Sequence, residues 1–168
     1  QEKPDIIGFQ EVLPHVAKWL KENLNEYYVI GCGRGANLRD EQMSIAYRRD
    51  RINLISMKTW WLSQTPDVPG SRYEEQSSCP RTATEAVFED IKSGKVFRFI
   101  NTHLDHIGAQ AREKGLTQII NQLNQERFWK DIPVILCGDF NVVRNSDLVC
   151  RGFFQVEDGI RDWLVNGV

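Results

Sequence analysis

Three short apolar segments of this chain each end in a cluster of polar side chains, and this repeated pattern constrains the fold more than any other feature. Residues 5–12 end around Gln10 and Glu11, residues 96–101 run into N-T-H-L-D-H at 101–106, and residues 133–137 run into G-D-F-N at 138–141. Apolar runs of this length are typical of buried β-strands. Because strand ends are rigid, polar side chains on them can converge at one edge of a sheet.

The rest of the pattern adds further strands and two helices. We predict strands at 27–30, 43–48, 52–60 and 84–90, with 43–48 and 52–60 paired around a turn at 49–51, and 84–90 and 96–101 forming a hairpin. Helices are predicted from Pro14 to about residue 25 and over 109–128, and loops over 31–40 and 63–80. Strands and helices do not alternate strictly, which favours an α+β fold, a two-sheet β-sandwich flanked by helices.

Length and charge narrow the class of protein. The chain has 168 residues, which suits one domain, and a formal net charge of −2, so no global basic field marks a nucleic-acid binder. Apolar runs stay short of the ~20 residues that span a bilayer. The four cysteines lack C-x-x-C spacing, which disfavours a structural zinc site and suggests reduced thiols, with Cys137 in the core. We expect a monomer that does not insert into membranes, and we expect it in the cytoplasm.

The polar clusters carry residue types that suit phosphoryl chemistry. Glu11 and Asp139 offer the hard oxygen ligands that Mg²⁺ prefers. Asn141 can donate a hydrogen bond to a phosphate oxygen as charge builds up in the transition state. His103 can hold a nonbridging oxygen or assist proton transfer. Because no serine or cysteine nucleophile has a plausible base nearby, direct attack by water is favoured.

Taken alone, each cluster has a simpler interpretation. On its own, Gln10-Glu11 is typical of a solvated turn. G-D-F-N on its own is typical of a turn that ends a strand, since Gly, Asp and Asn all favour turns. The N-T-H-L-D-H run can be a surface turn, or a zinc site made by His103, Asp105 and His106. Neighbouring positions on one strand end give poor tetrahedral geometry, which disfavours zinc. The ordered combination of three clusters, each after a buried strand, is much more specific.

The same three blocks resemble those of the endonuclease/exonuclease/phosphatase superfamily, whose fold is that of deoxyribonuclease I. They are F-Q-E-V at 9–12, N-T-H-L-D at 101–105 and G-D-F-N at 138–141. W-L-S-Q-T-P at 61–66 and R-T-A at 81–83 resemble a bacterial subgroup of it. The resemblance spans roughly residues 4–148. It implies a four-layer α+β sandwich and a metal-dependent hydrolase of phosphoesters.

The resemblance also implies a role for individual residues. Glu11 is similar to the metal-binding glutamate, and His103 to the phosphate-contacting histidine. Asp139 matches the residue that orients or deprotonates the attacking water, and we count it as a second metal ligand. Asn141 matches the residue that binds the scissile phosphate, and Glu41 resembles the acidic residue that pairs with the histidine. The implied cofactor is Mg²⁺, with Mn²⁺ as an alternative, and the implied partner is a nucleic acid or small phosphodiester.

Further side chains are candidates for substrate binding. Arg81 either reaches the substrate phosphate or forms a surface salt bridge, and we give the two equal weight. Asp105 is placed in the same group. Trp60 and Trp61 are candidates for stacking a base or sugar at the rim, although one of them belongs in the core because strand neighbours point to opposite faces. Arg112, after Ala111, also matches the bacterial subgroup.

The chain departs from the family at both ends. A strand that ends in a site asparagine precedes residue 4 in the family, and a terminal Ser-Asp-His follows the G-D-F-N block, but neither is present here. We therefore expect residues 1–152 to be a partial domain, inactive by itself and lacking its natural N-terminus. A non-catalytic phosphate-ligand-binding relative is the alternative. Residues 153–168 resemble translated sequencing-adapter read-through, or a short amphipathic helix, and carry no predicted site.

Overall fold

The computed structural model describes residues 3–125, 127–129 and 131–142, and within them the chain forms seven strands and two helices. Their bounds lie within three residues of the predicted ones. In chain order the elements are β1 (Ile6–Val12), α1 (Pro14–Asn23), β2 (Tyr27–Ile30), β3 (Gln42–Arg48), β4 (Ile52–Trp61), β5 (Thr82–Asp90), β6 (Val96–His103), α2 (Ala109–Gln125) and β7 (Val134–Asp139).

The strands form two sheets. The first has the order β1-β3-β2 and is antiparallel throughout. The second has the order β4-β5-β6-β7, in which β6 and β7 are parallel and the other pairs antiparallel. The predicted hairpin of β5 and β6 is confirmed. Helix α2 makes the long connection that parallel neighbours such as β6 and β7 require.

The predicted pairing of β3 with β4 is wrong. Residues 49–51 do form a tight turn, in which the Arg51 N–H donates to the Arg48 carbonyl, but the turn leads from one sheet into the other. Strand β3 already has β1 and β2 on its two edges, so no edge remains for β4. Strand β4 instead forms an edge of the second sheet beside β5.

Three apolar clusters define four layers. Ile45 and Tyr47 of β3 pack against Phe88 and Phe99 of the second sheet, so this cluster, which also holds Cys137, lies between the sheets. Alternation then points Ile100 to the opposite face of β6. A second cluster forms there under α2. Its members from α2 are Leu116, Ile119 and Leu123, with Ile120 packed against them.

Helix α1 covers the outer face of the first sheet. Its buried residues Ala17 and Leu20 pack with Val12 of β1, whereas Trp19, which shares the predicted helical spacing, is 57% exposed. The layers are therefore α1, first sheet, second sheet and α2, which confirms the predicted α+β sandwich. Among the described residues, no helix is both long enough and apolar enough to cross a membrane. The predicted site-free tail at 153–168 lies outside them.

Candidate active site

The three polar strand ends meet at one edge of the sandwich. Strands β6 and β7 run parallel, and His103 is the direct register partner of Asp139, so their ends coincide. Strand β1 belongs to the other sheet, but its Gln10 reaches across, and the Gln10 Nε2 donates to the Asn101 Oδ1 over 2.6 Å. The convergence that the sequence predicts is therefore present in the fold.

Asn101 fixes the distance between the two sheets at this edge. The side chain is fully buried, and its Nδ2 donates to the carbonyl oxygens of Phe9 at 2.8 Å and Ser44 at 2.9 Å. Gly8 permits the close approach, because a Cβ there would lie 2.6 Å from the Cys137 Sγ. A buried amide with both ends satisfied holds its partners in one arrangement. Strand β1 is thereby placed against the ends of β6 and β7.

Glu11 lies on an irregular part of β1. The register with β3 shifts between Phe9 and Val12, and Glu11 has a φ of 55°. A β-bulge re-aims the side chain it carries, and a left-handed backbone is uncommon outside glycine. Glu11 is exposed, and its charge acts on His103 by raising the pKa of the imidazole. The bulge thus presents a carboxylate from the first sheet to the histidine of the second.

The turn after β7 sets the direction of Asp139. Gly138 has a φ of 150°, and a Cβ added there would clash with the Thr102 carbonyl oxygen. The Asn141 N–H donates to the Asp139 Oδ1 at 2.9 Å, and the Asn141 Nδ2 donates to the Leu104 carbonyl at 3.0 Å. Asn141 has a φ of 50°, a conformation that asparagine tolerates better than most residues. The G-D-F-N block therefore does act as a strand-terminating turn, and it exposes the Asp139 carboxylate.

His103 is buried between charges of both signs. Its Nε2 lies 3.8 Å from the Asp139 Oδ2, and its Nδ1 is buried without a hydrogen-bond partner among the described residues. Burial, and then the charge of Arg81, lower the pKa of His103, while Asp139 and Glu11 oppose this. The lowered pKa favours the neutral imidazole, whose Nε2 is turned towards the carboxylate.

Asp105 is buried and fully engaged by protein donors. Its oxygens accept hydrogen bonds from the N–H groups of Ser77, Ile107 and Gly108 and from the Ser77 hydroxyl, at 2.5–3.1 Å. Burial alone would raise the pKa of Asp105, but these bonds outweigh it and hold the pKa well below its usual range. The Arg81 Nε lies 3.6 Å away. Asp105 thus supports Arg81 and the 105–108 turn, and this placement argues against the predicted contact with substrate.

Arg81 sits just before β5 and is almost fully buried. Its Nη2 lies 2.8 Å from the His106 Nδ1, and its Nε–H has no hydrogen-bond partner among the described residues. The alternative of a surface salt bridge does not fit, because both Arg81 and its partner Asp105 are buried. Arg112, the other arginine matched to the bacterial subgroup, donates from its Nη1 to the Asp105 carbonyl at 2.9 Å.

Glu41 does not form the pair with His103 that the resemblance implies. Its Oε2 lies 2.9 Å from the Arg34 Nη2, and the carboxylate paired with His103 is that of Asp139. The reason is the path of the 31–40 loop, which folds back so that the Arg34 N–H donates to the Glu41 carbonyl at 2.9 Å. Arg34 is thereby brought beside Glu41 and forms an ion pair with it.

Neither tryptophan lies at an exposed rim. Trp60 packs in the cluster under α2, and Trp61 is 4% exposed, with its Nε1 donating to the Arg34 carbonyl at 2.6 Å. Strand alternation does point the two rings to opposite faces, as predicted. Both rings are nevertheless buried, at 3% and 4% exposure. Trp61 therefore has no free ring face on which to stack a base or sugar.

The donors present suit a magnesium ion better than zinc. The described residues contain no group of three or more His, Cys, Asp or Glu side chains that could hold a metal. The zinc alternative loses its ligands because Asp105 is saturated and His106 is engaged by Arg81. Mg²⁺ needs only one or two carboxylates and completes its shell with water and substrate. Glu11 and Asp139, both exposed and both acting on His103, fit that requirement.

Sequence reasoning missed three residues that shape this site. Asn101 stands in the N-T-H-L-D-H block without a predicted role of its own, although an amide at the end of an apolar strand indicates a buried, hydrogen-bonded group. Arg34 stands between two glycines in a predicted loop, and a charged residue in such a loop is a candidate functional residue. Ser77, which donates twice to Asp105, gives no signal in the sequence because it lies among other serines in a long loop.

Comparison with known proteins gives consistent matches. A model of the Endonuclease/Exonuclease/phosphatase family matches residues 1–153. A mannosyl-6-phosphatase of Bacteroides thetaiotaomicron is 34% identical, with a TM-score of 0.83 over 89% of this chain and 56% of that one. An endonuclease/exonuclease/phosphatase of Bacteroides vulgatus is 36% identical, with a TM-score of 0.80 over 86% of this chain and 54% of that one. An uncharacterised protein of Acanthamoeba polyphaga mimivirus is 30% identical over 83% of this chain and 54% of its own length. The chain thus spans about half the length of each relative.

Proposed function

We propose that the full-length protein hydrolyses phosphoesters by metal-assisted attack of water. The premise is that this chain belongs to the Endonuclease/Exonuclease/phosphatase family. One observation carries the proposal. Glu11 from one sheet and Asp139 from the other present exposed carboxylates at one edge: the Asp139 Oδ2 lies 3.8 Å from the Nε2 of the buried His103, and Glu11 follows Gln10, whose side chain is hydrogen-bonded to Asn101 across the sheets. That a relative 34% identical is a mannosyl-6-phosphatase supports the same reaction class.

The metal would be held by Glu11 and Asp139. We propose Mg²⁺, with Mn²⁺ as an alternative, because both are hard ions that carboxylates bind well. When bound, such an ion supplies positive charge against the negative charge that builds on the phosphate. The two ligands come from different sheets, so the packing of the sandwich sets their separation.

The chain's own residues supply positioning and proton transfer. Neutral His103 can hydrogen-bond a nonbridging oxygen through its Nε2 without adding a full charge. Asp139, fixed through its Oδ1 by the Asn141 N–H, keeps its Oδ2 available to orient or deprotonate the water. One amide hydrogen of Asn141 goes to the Leu104 carbonyl, and the second remains for a phosphate oxygen. These donors are preorganised for charge that develops in the transition state.

The test is hydrolysis by the protein in its full natural length. We would measure turnover of p-nitrophenyl phosphate and bis-(p-nitrophenyl) phosphate with Mg²⁺, with Mn²⁺ and with a chelator. We expect metal-dependent cleavage that His103→Ala lowers by at least ~100-fold, the usual range for a catalytic proton-transfer group. Asp139→Ala should lower it further, because it removes both a metal ligand and the water-orienting carboxylate.

Matched variants separate chemistry from folding. His15→Ala and Asp67→Ala change an exposed histidine and an exposed aspartate to which no site role is assigned, and both should retain full activity. Unchanged turnover after Asp139→Ala would show that the assignment is wrong. If wild-type protein binds phosphate but turns over neither ester with any metal, the protein is a non-catalytic binding relative instead.

A further inference from the structure

Two buried arginines are held next to each other beside the site. Arg34 and Arg81 are 6% and 4% exposed, and they come from loops far apart in the chain. The end of β4 joins them, since the Trp61 Nε1 donates to the Arg34 carbonyl at 2.6 Å and the Leu62 N–H donates to the Arg81 carbonyl at 2.7 Å. Their backbones are therefore fixed by consecutive residues of one strand end.

The charges of this arginine pair are only partly neutralised. Arg34 has Glu41 at 2.9 Å and Asp40 at 3.5 Å. Among the described residues, the one carboxylate within 4 Å of Arg81 is that of Asp105 at 3.6 Å, whose oxygens already accept hydrogen bonds from other donors. The Nε–H groups of both arginines are buried without a hydrogen-bond partner among the described residues. Burial, and then the charge of Arg34, lower the pKa of Arg81. Buried like charges destabilise each other, and an anion bound between them would remove that cost.

The arginine pair acts on the same histidine as the two carboxylates. Trp61 pairs with Thr82 across β4 and β5, and Ala83 pairs with Thr102 across β5 and β6, so the end of β4 that bonds to Arg34 and Arg81 lies at the same sheet edge as His103. Burial lowers the pKa of His103 most and, in keeping with this placement, Arg81 and Arg34 lower it further, whereas Asp139 and Glu11 raise it. All four charged groups therefore lie within electrostatic reach of one imidazole. The site thus has carboxylates suited to a metal ion and, separately, guanidinium groups suited to an anion.

We propose that Arg34 and Arg81 together bind the terminal, doubly charged phosphate of a phosphomonoester, and that Arg34 makes the protein prefer monoesters to diesters. This inference rests on the proposed function and names its substrate class. In the proposed mechanism, His103 and Asn141 each donate a hydrogen bond to one nonbridging oxygen of the phosphate. A monoester offers a third and carries close to two negative charges at pH 7.5, whereas a diester has only two such oxygens and one charge. The planar guanidinium fork matches phosphate oxygens well.

A diester would meet this arginine pair unfavourably. Its second ester group would stand where the third oxygen of a monoester lies, against buried N–H donors that it cannot satisfy. A site whose buried donors are left unpaired rejects the analogue that lacks the acceptor. Selectivity would thus come from Arg34 and Arg81, while the catalytic groups serve both ester classes.

The kinetic test compares Arg34→Gln with Arg39→Gln in the full-length protein. Arg39 is an exposed arginine of the same loop and controls for charge and for loop substitution. We expect wild type to favour p-nitrophenyl phosphate over bis-(p-nitrophenyl) phosphate. Arg34→Gln should lower kcat/KM for the monoester by about 10- to 100-fold, the contribution of a hydrogen bond to a charged group. The same variant should change the diester value by less than about 3-fold, and Arg39→Gln should change neither.

A second measurement uses wild-type protein and does not depend on a buried variant folding. Inorganic phosphate and dimethyl phosphate would be compared as competitive inhibitors at pH 8. We expect inorganic phosphate to inhibit at least ~10-fold more strongly, because only it has the third oxygen and second charge. Arg34→Lys keeps the charge but not the fork, so it should show an intermediate loss of monoester selectivity.

The outcomes distinguish the two proposals. Equal loss of both activities in Arg34→Gln, a wild-type preference for the diester, or equal inhibition by the two anions would overturn the role of Arg34 and leave the hydrolase intact. If neither ester is hydrolysed, the proposed function fails, and thermal shifts then decide the inference alone. If inorganic phosphate raises the melting temperature, dimethyl phosphate does not, and the effect is lost in Arg34→Gln, the role of Arg34 is supported. If the two anions stabilise the protein equally, that role is refuted.

Discussion

Replacing Asp105 by asparagine tests whether this buried carboxylate supports the site from within. Its Oδ1 accepts the N–H groups of Ile107 and Gly108, so the amide oxygen of the variant can keep those two bonds. Its Oδ2 accepts the Ser77 N–H and hydroxyl, and there the new NH₂ group would face a backbone donor. A buried donor left unsatisfied costs about 1–3 kcal/mol. The Asp105→Asn change also removes the carboxylate that forms an ion pair with Arg81.

The expected loss of stability follows from these two effects. Removing one partner of a buried ion pair costs about 3–5 kcal/mol. The Asp105–Arg81 separation of 3.6 Å is longer than a hydrogen bond, which places the cost at the lower end. We therefore expect Asp105→Asn to lower the free energy of unfolding by about 3 kcal/mol. Urea unfolding followed by the fluorescence of the buried Trp60 and Trp61 would measure it.

The pH dependence gives the sharper check. The pKa of Asp105 is lower in the folded protein than in the unfolded chain, where it is about 3.9. The stability that it contributes is therefore complete above that unfolded value and is lost as pH falls through the folded value. The difference between wild type and Asp105→Asn should stay constant from about pH 5 to 8 and shrink below about pH 4. Asp67→Asn, an exposed loop substitution, should show neither effect. A loss below about 1 kcal/mol, or a difference that grows towards low pH, would refute the reasoning.

Two further predictions concern the strand β7 and its turn. Gly138→Ala should lower the free energy of unfolding by more than about 2 kcal/mol, because the residue has a positive φ and a Cβ there would clash with the Thr102 carbonyl. Gly94→Ala is the control: its φ is 69° but the space around it is open, so it should lower the free energy of unfolding by only about 1 kcal/mol. Equal losses in urea unfolding would contradict this. Burial raises the pKa of Cys137 to about 12, so iodoacetamide at pH 8 should label it only after unfolding, while the less buried Cys79 reacts in the native protein. Peptide mass spectrometry would reveal native labelling of Cys137, which would contradict its burial.

The strands that carry the site could be predicted from the sequence because their signals are local. Each apolar run ends in residues that favour a turn, and the G-D-F-N block does form one around Gly138 and Asn141. The parallel neighbours β6 and β7 then bring His103 and Asp139 together by register alone. Such features depend on alternation and turn chemistry, which neighbouring residues determine.

The wrong predictions concern features that depend on contacts between residues far apart in the chain. A three-residue turn between two apolar runs fits a hairpin locally, but β3 pairs on both edges with β1 and β2, whose residues lie elsewhere in the chain. In the same way, the position of Glu41 follows from the fold of the 31–40 loop, which places Arg34 beside it. The position of the buried Trp61 also depends on that loop, since its Nε1 donates to the Arg34 carbonyl. Local sequence does not identify the partners in any of these contacts.

The polar link between the sheets explains how such a site keeps its geometry. An apolar side chain at position 101 would fill the same space, and a buried amide adds little net stability over it, since its hydrogen bonds replace those with water. What Asn101 adds is direction, because its three bonds to Phe9, Gln10 and Ser44 form only in one arrangement of the sheets. Glu11 directly follows Gln10, so the register of that link sets the distance between its carboxylate and His103. A polar core contact thus fixes the position of a proposed metal ligand that lies on the other sheet.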